Sequence, residues 1–288
     1  MIAGIVALCI VLLLLLYFFL IMPHVSNTAD VEALRVNYAH RGLWSERIPE
    51  NSLAAFAYAA QKGYGIELDV QLSKDKKIMV FHDGSLKRMC GVDRRVGEMT
   101  CEELKALRLK GSDQTIPTLA EVLALVRGRV PLMIEVKGEQ KQTALCVRLA
   151  RMLDSYRGAF CVISFNPLIL NWFKNYRPCY ARGQLVTKVT KHTRKGSKLA
   201  NFFLTHMLLN FLSRPDFISV KYTLCKRPSV LFVTHALRMT GFAWTVRTTD
   251  EFRECRRRGF FAVAEGEVLR ASPKKSSPKG EQRKPESK

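Results

Sequence analysis

The sequence predicts an α/β protein, a TIM (β/α)8 barrel with a small insertion after the second strand and one transmembrane helix before the barrel. Apolar, strand-like segments alternate with helical segments along most of the chain, a pattern typical of a parallel sheet closed into a barrel. The 288 residues suffice for one such barrel, which typically takes about 250, and for small appendages. We therefore expect one large domain at 35–270.

The first segment, Ile2–Met22, is an uncharged apolar run. At 1.5 Å per residue, about 20 residues span a bilayer core of roughly 30 Å. A cleaved signal peptide is the alternative, but such peptides have a basic start and an apolar core of only about 7 to 15 residues. No Lys or Arg precedes this run. We expect a retained anchor at 1–23 and a polar linker at 24–34.

The formal net charge of +21 suits the anionic lipid of a cytoplasmic leaflet. The eight cysteines are scattered without CxxC spacing, which excludes a disulfide framework and a zinc-ribbon type of site. Both observations favour a single-pass membrane protein with its domain on the cytoplasmic side. Aromatic residues lie mainly within apolar runs and no nucleic-acid motif is present, so we expect no nucleic-acid partner.

The first barrel unit is predicted at Arg35–His40 for the strand and Asn51–Gly63 for the helix. Asn51 is a good N-cap residue, and Gly63 is typical of a helix end. A strand at Tyr64–Leu72 and a short second strand at Lys77–His82 follow.

The polar stretch at about 83–115 then interrupts the alternation and is the predicted insertion, with one helical piece at Cys101–Leu107. After it the alternation resumes. The tail at 271–288 is basic and lacks an apolar run, so it is expected to be disordered, either as a solubilising tail or as a contact with lipid headgroups. The remaining predicted strands are Leu132–Lys137, Phe160–Phe165, Tyr180–Val186, Phe217–Val220, Phe242–Val246 and Phe260–Ala264, and the remaining helices are Leu119–Val126, Gln142–Met152, Pro167–Asn175, Leu199–Leu212, Ser229–Met239 and Thr249–Arg258.

Five short segments carry the candidate chemistry: His40-Arg41-Gly42, Pro49-Glu50-Asn51-Ser52, Glu67-Leu68-Asp69, His82-Asp83 and Glu135-Val136-Lys137. They offer carboxylates, imidazoles and cations, the groups needed for metal-assisted cleavage of a phosphate ester. Residues i and i+2 of a strand share a face, so Glu67 pairs with Asp69 and Glu135 pairs with Lys137. Strands that end at the carboxyl mouth of a barrel would bring all four together.

Three carboxylates in one cavity repel each other unless a cation neutralises them. We therefore predict Glu67, Asp69 and Glu135 as metal ligands. Their oxygen atoms favour Ca²⁺ or Mg²⁺ over zinc, and the sequence leaves the choice between these two ions open. Lys137 is predicted to hold a phosphate oxygen, and Arg41 to grip the phosphate with two donors.

In this order the segments resemble the glycerophosphodiester phosphodiesterase family, whose barrel opens with a His-Arg-Gly strand and a Pro-Glu-Asn-Thr turn. Ser52 stands here in place of the Thr, and the resemblance runs from about Ala39 to about Gly266. It implies metal-dependent hydrolysis of glycerophosphodiesters to glycerol 3-phosphate and an alcohol. His40 and His82 would act as acid and base across the phosphate, with either assignment open.

Further positions follow the same resemblance. Ser164-Phe165-Asn166-Pro167 is similar to the fourth strand and its loop, and Trp244-Thr245-Val246 to the seventh. Trp244 is predicted as an apolar wall for the alcohol group, with a core tryptophan as the alternative. Lys221 is a candidate second anion contact. Glu50 fits either a further ligand or hydroxyl contact, or an acidic residue favoured at a helix start.

The chain departs from the family pattern at the edge of the pocket. Arg247 stands where Asn usually follows Trp-Thr-Val, and Gly259 to Gly266 replaces a Gly-x-Asp and Thr-Asp-x-Pro pattern. The identity of the alcohol is therefore open. A lysophospholipase D-like activity on lysophospholipids at the membrane is one alternative function. A catalytically silent module that binds phosphorylated headgroups is another, although binding alone does not require two imidazoles facing a metal.

Overall fold

The computed structural model describes residues 2–24, 29–138, 143–188 and 198–271. Part of the predicted linker, the first residue of the helix predicted at Gln142–Met152, and the predicted tail from 272 onwards lie outside the described residues. Every predicted strand of the barrel lies within them, as does the predicted anchor apart from Met1.

Eight parallel strands close into a barrel, as the sequence predicts. The strand that opens the chain pairs with both the second and the last strand, which closes the sheet. One short strand pairs antiparallel with the second strand at its carboxyl end and lies outside the parallel ring. The strands are β1 (Tyr38–Ala39), β2 (Gly65–Leu72), β3 (Ile78–Val80), β4 (Leu132–Val136), β5 (Phe160–Ser164), β6 (Ala181–Val186), β7 (Phe217–Lys221), β8 (Thr240–Val246) and β9 (Phe261–Ala264).

Helices connect these strands and cover the outside of the barrel. They are α1 (Ile2–Ile21), α2 (Ala29–Ala33), α3 (Leu53–Gln61), α4 (Lys87–Cys90), α5 (Cys101–Lys105), α6 (Leu119–Val126), α7 (Thr143–Leu153), α8 (Pro167–Tyr176), α9 (Lys198–Thr205), α10 (Asn210–Ser213), α11 (Pro228–Leu231), α12 (Thr249–Arg257) and α13 (Gly266–Ala271). Short 3₁₀ turns lie at Val96–Glu98, Leu109–Gly111 and Tyr222–Leu224, and a π turn at Phe232–Ala236.

Strand alternation separates two apolar clusters. On β2, Ile66, Leu68 and Val70 face the helices and belong to the large outer core. A second cluster lies within the barrel, where Tyr38 and Phe217 pack their rings edge-on against Phe242, with centroids 5.7 and 5.1 Å away. These aromatic side chains fill the barrel interior. The polar side chains further along the strands therefore lie on an apolar layer of packed rings.

Two glycines make room for this aromatic floor. A Cβ on Gly183 would lie 2.1 Å from the Phe217 ring, and a Cβ on Gly65 would lie 2.6 Å from the Tyr38 ring. Such distances are far below van der Waals contact, so any side chain there displaces a ring. The absence of a side chain at these two positions therefore allows the large rings to fit.

The insertion after the second strand is confirmed and has a small core of its own. Phe81, Leu86, Met89, Leu104 and Leu109 are buried together there. The helix in this segment begins with a capping box, in which the Thr100 hydroxyl accepts the amide of Glu103 and the Glu103 carboxylate accepts the amide of Thr100. The insertion is thus an ordered cap on the side of β3.

The predicted anchor is the helix α1, and by length and composition it is a candidate membrane span. Its final turn is attached to α10: Phe19 contacts Phe211, and the Arg214 guanidinium donates to the carbonyl oxygens of Phe19 and Met22 at 2.9 and 3.2 Å. The positive charge of this arginine is also stabilised by the negative, C-terminal end of the helix dipole. The helix is therefore joined to the amino-terminal side of β7.

Three predicted helices differ from the observed ones. Ser52, and not Asn51, is the N-cap of α3, because its hydroxyl accepts the amide of Ala55 at 3.1 Å. The helix predicted at Leu199–Leu212 is broken between α9 and α10, where Met207 takes a φ of +61°. The helix predicted at Ser229–Met239 is the short α11 followed by a π turn.

Replacing Gly183 by alanine is expected to destabilise the barrel by about 1 to 3 kcal/mol, because the new methyl overlaps the Phe217 ring. Urea unfolding of the full chain in detergent measures this change. Gly97→Ala is the matched control, since its Cβ would meet Leu72 O at 3.6 Å, an ordinary contact. Equal stability of the two variants would contradict the packing argument.

Candidate active site

Three carboxylates meet at the carboxyl ends of β2 and β4. Glu67 and Asp69 face into the barrel from β2, and Glu135 faces in from β4, where Asp69 and Glu135 are paired in register. One oxygen from each lies within 4.8 Å of one from each of the others, and all three residues are buried. The predicted convergence of these side chains is observed.

Lys137 lies directly after β4 and places its ammonium group between two of these carboxylates. The Nζ atom is 2.8 Å from Asp69 Oδ1 and 2.7 Å from Glu135 Oε1. The third carboxylate is held differently, because the backbone N–H of Arg41 donates to Glu67 Oε2 at 2.9 Å. Asn51 donates its side-chain amide to Asp69 Oδ2 at 2.9 Å, and this contact explains why Asn51 is not the helix cap.

Burial and mutual repulsion divide the protons unevenly among the three groups. Burial raises the pKa of Glu67 well above its usual range, and the charges of Asp69 and Glu135 raise it further. Burial also raises the pKa of Glu135 to about 7. Burial disfavours the charged form of Asp69 as well, but the nearby charges of Lys137, His82 and Arg41 hold its pKa well below the usual value.

These residues fit a hard divalent cation. Asp69 Oδ1 is buried and has Lys137 Nζ 2.8 Å away, and within the residues that the structure describes Asn51 Oδ1 is buried without a hydrogen-bond partner. A cation bound beside three carboxylates that resist simultaneous ionisation would favour the charged form of each of them. The donor set consists of oxygen atoms alone, which favours Ca²⁺ or Mg²⁺.

Arg41 lies at the edge of this acidic cluster in a tight turn. Its φ is +58°, and Gly42 follows with a φ of +82° against the backbone of Ala55, where a Cβ would not fit. The Arg41 guanidinium contacts Glu50 Oε1 at 2.7 Å and lies 3.7 Å from Asp69 Oδ2. The turn therefore aims two kinds of donor, backbone and guanidinium, toward the carboxylates.

Glu50 is mostly buried and is held between two arginines. Besides Arg41, it accepts hydrogen bonds from Arg88 Nη2 at 2.6 Å and Nη1 at 3.1 Å. Burial disfavours its ionisation, but Arg88 and Arg41 lower the pKa of Glu50. Glu50 is therefore a partner of these two arginines. Arg88 comes from the insertion, and no sequence pattern pointed to it.

The two predicted catalytic histidines lie at the same end of the barrel. His40 follows β1, and its backbone amide donates to Ala264 O at 2.9 Å. His82 follows β3, and its Nδ1 lies 2.7 Å from Asp83 Oδ1. Burial lowers the pKa of both imidazoles, which favours the neutral form near pH 7. Within the described part of the chain, neither Nε2 atom has a hydrogen-bond partner.

Two further side chains frame the mouth. The Gln71 amide donates to the carbonyl oxygens of Phe81, His82 and Asp83 and so fixes the segment that carries His82. Trp244, at the end of β8, is partly exposed and donates its indole N–H to Ser219 O at 3.0 Å. It packs edge-on against Phe165, with the two ring centroids 5.5 Å apart.

Lys221 is exposed at the end of β7, next to Trp244 in register. A cavity of about 400 Å³ lined by Arg35, Tyr64 and Phe260 lies at the opposite, amino-terminal ends of the strands and contains none of the site residues.

In the chelator-treated protein, Glu67→Gln is expected to stabilise the fold increasingly as pH rises from 5 to 8. The pKa of Glu67 is raised above its usual 4.5 in the folded state, so unfolding releases a proton above that pH and wild-type stability falls. The neutral amide removes this loss, up to about 1.4 kcal/mol per pH unit. Thermal or urea unfolding across that range measures the difference.

The control for this prediction is Glu102→Gln on α5, because Glu102 is exposed and lies outside the site. Its difference from the wild type should not change with pH. A Glu67→Gln difference that stays constant between pH 5 and 8 would contradict the raised pKa.

The family model described as "Glycerophosphoryl diester phosphodiesterase family" matches residues 40–265. A glycerophosphodiester phosphodiesterase of Caldanaerobacter subterraneus is 42% identical over 151 residues, which are 49% of this chain and 62% of the relative. The human lysophospholipase D GDPD3 is 32% identical over 139 residues, 43% of each chain.

The fold is similar to that of an Oleispira antarctica phosphodiesterase solved in complex with the product sn-glycerol-3-phosphate. The TM-score is 0.70 at 24% identity, covering 84% of this chain and 96% of that one. The likeness extends over the whole barrel, and the family match covers every segment of the acidic mouth. This chain belongs to the glycerophosphoryl diester phosphodiesterase family and is a phosphoric diester hydrolase.

Proposed function

We propose that this protein hydrolyses glycerophosphodiesters to glycerol 3-phosphate and an alcohol in a reaction that depends on a divalent metal. The observation that carries the proposal is the meeting of three buried carboxylates, two imidazoles and two cations at one end of the barrel. We assign the catalytic domain to residues 35–270. Family membership and the titles of the relatives support the same reaction class.

Glu67, Asp69 and Glu135 would hold the metal, either Ca²⁺ or Mg²⁺. When bound, such an ion polarises phosphoryl oxygens and neutralises charge that develops during the reaction. Lys137 has its ammonium group within 3 Å of two of these carboxylates and supplies a positive charge to a phosphate oxygen placed beside them. Arg41 offers the planar donors that match a phosphate.

His40 and His82 would move the protons. One Nε2 accepts the proton of the attacking hydroxyl as the new phosphorus–oxygen bond forms. The other gives a proton to the alcohol oxygen as its bond to phosphorus breaks, so that the net reaction consumes one water. Both imidazoles are partly buried, and among the residues that the structure describes neither Nε2 has a protein partner, so either can take either role.

Trp244 and Phe165 would form the apolar wall for the glycerol or alcohol group. Their edge-on contact and the indole hydrogen bond to Ser219 hold the tryptophan in place while part of its surface stays exposed. A wall of this kind orients the ester without adding charge near the phosphate. Lys221 remains a candidate second anion contact at the end of β7.

A second candidate function is lysophospholipase D-like hydrolysis at a membrane. The candidate span Ile2–Ile21 and the similarity to human lysophospholipase D GDPD3 favour it. We propose that α1 anchors the protein as a single-pass membrane protein with the barrel on the cytoplasmic side, where its net charge of +21 suits anionic lipid.

Replacing 1–23 by a soluble tag should spare turnover of water-soluble substrates and sharply lower turnover of lysophospholipid in vesicles.

Chelation is expected to abolish release of glycerol 3-phosphate from glycerophosphocholine and glycerophosphoethanolamine, and added Ca²⁺ or Mg²⁺ to restore it. The reason is that the acidic cluster cannot hold three negative charges and an anionic substrate together without a cation. An enzyme-coupled assay of glycerol 3-phosphate measures the release. Full activity after exhaustive chelation would rule out the metal-dependent mechanism.

His82→Ala is expected to lower kcat by about 10² to 10⁴, because it removes one of the two proton-transfer groups. Binding of glycerol 3-phosphate, followed as a shift in Tm, should be retained because the carboxylates, Lys137 and Arg41 remain. His235→Ala is the control, since the His235 Nδ1 atom lies 3.0 Å from Thr234 Oγ1 and 3.1 Å from Leu231 O, on the π turn before β8. Binding without turnover in the wild type would instead support the silent headgroup-binding module.

A further inference from the structure

We propose that Glu265 and Arg247 form a positioning pair for His40, and that each imidazole of the site is oriented by its own carboxylate and arginine. This inference rests on the proposed function, since it assigns how the two proton-transfer groups are held. The first such series of contacting side chains runs from His82 through Asp83 to Arg88. The second series runs from His40 through Glu265 to Arg247, at positions where the sequence departs from its family's pattern.

The first series has short contacts at each step. His82 Nδ1 lies 2.7 Å from Asp83 Oδ1, and Arg88 Nε donates to the other oxygen, Oδ2, at 2.6 Å. Arg88 also holds Glu50 with two further hydrogen bonds. A carboxylate can only accept a hydrogen bond, so a neutral His82 carries its proton on Nδ1 and leaves Nε2 as the base.

The second series repeats this order at the ends of β1 and β9. His40 Nδ1 lies 3.7 Å from Glu265 Oε1. Arg247 contacts both oxygens of Glu265, with Nε donating to Oε2 at 3.1 Å and Nη2 lying 3.1 Å from Oε1. The Glu265 backbone is also fixed, because its N–H donates to Val246 O at 3.0 Å. The carboxylate is therefore held by a guanidinium and faces the imidazole.

The state of His40 Nδ1 supplies the physical reason. Among the described residues this buried atom has no hydrogen-bond partner, since Glu265 Oε1 is 3.7 Å away, and a buried polar nitrogen without a partner carries a desolvation penalty. Catalytic hydrogen bonds are often long before substrate binds and shorten in the complex. A small rotation of Glu265 would satisfy Nδ1, fix the tautomer with Nε2 free, and stabilise the imidazolium when His40 accepts a proton.

Arg247 would keep Glu265 charged and aimed. Burial opposes ionisation of Glu265, but His40 and Arg247 lower its pKa. Arg247 is itself placed by its backbone N–H, which donates to Glu251 Oε2 at 2.7 Å at the start of α12. Arg247 is exposed, but the carboxylate that it contacts twice is largely buried and faces the His40 imidazole. An ion pair between two exposed side chains has no such buried contact.

The first test is steady-state kinetics on glycerophosphocholine with the full-length enzyme and the variants Glu265→Gln and Arg247→Ala. We expect kcat to fall about 10- to 100-fold with KM within about twofold, because the pair touches the imidazole and not the substrate. Arg247→Lys should recover part of the loss. Arg253→Ala and Asp250→Asn are matched controls, an exposed arginine and carboxylate paired at 3.0 Å on the same helix.

The second test reads the tautomer directly and does not depend on turnover. Selectively ¹⁵N-labelled histidines in the full chain in detergent should show His40, assigned by its loss in His40→Gln, with the proton on Nδ1. In Glu265→Gln this signal should shift toward a mixture of tautomers. An unchanged tautomer, or wild-type kcat in both variants, would overturn the proposal. A wild type that releases no glycerol 3-phosphate would instead overturn the proposed function, with the tautomer measurement still deciding this inference.

Discussion

The ion contacts of Lys137 with Asp69 and Glu135 are the interactions on which the rest of the site depends. Three carboxylates are buried with oxygen atoms within 4.8 Å of one another, and even beside this lysine burial raises the pKa of Glu67 well above its usual range and that of Glu135 to about 7. The lysine keeps Asp69 ionised, and the Arg41 guanidinium and the Asn51 amide lie beside that charge. Under the proposed function, the same arrangement would hold a divalent ion and an anionic substrate.

The barrel makes this charge density tolerable by its layered interior. Below the acidic side chains, the rings of Tyr38, Phe217 and Phe242 fill the lumen and exclude water. Above them the strands end and the mouth opens, so charged groups lie near solvent on one side and on a rigid floor on the other. The glycines at 65 and 183 are the local condition for that floor, because they leave the space that the rings occupy.

Segments outside the barrel strands complete the site. The insertion contributes Arg88, which joins the Glu50 and Asp83 carboxylates and so links the first turn of the barrel to the loop that carries His82. Glu265, directly after the last strand, faces His40. At the other end of the barrel, Arg214 joins the candidate membrane helix to α10. Chemistry and attachment are thus divided between the two ends of the strands.

The sequence by itself determined the barrel, the insertion, the extent of α6 and the inward-facing pairs Glu67 with Asp69 and Glu135 with Lys137. Strand periodicity and local capping decide these features, and both are properties of neighbouring residues. The tertiary structure alone decided that Asn51 serves Asp69 while Ser52 caps α3, since both residues are able to cap and only the distant carboxylate separates them. It also decided which arginine meets which carboxylate, because Arg88 and Arg247 reach partners 38 and 18 residues away through folds of the chain that no local pattern encodes.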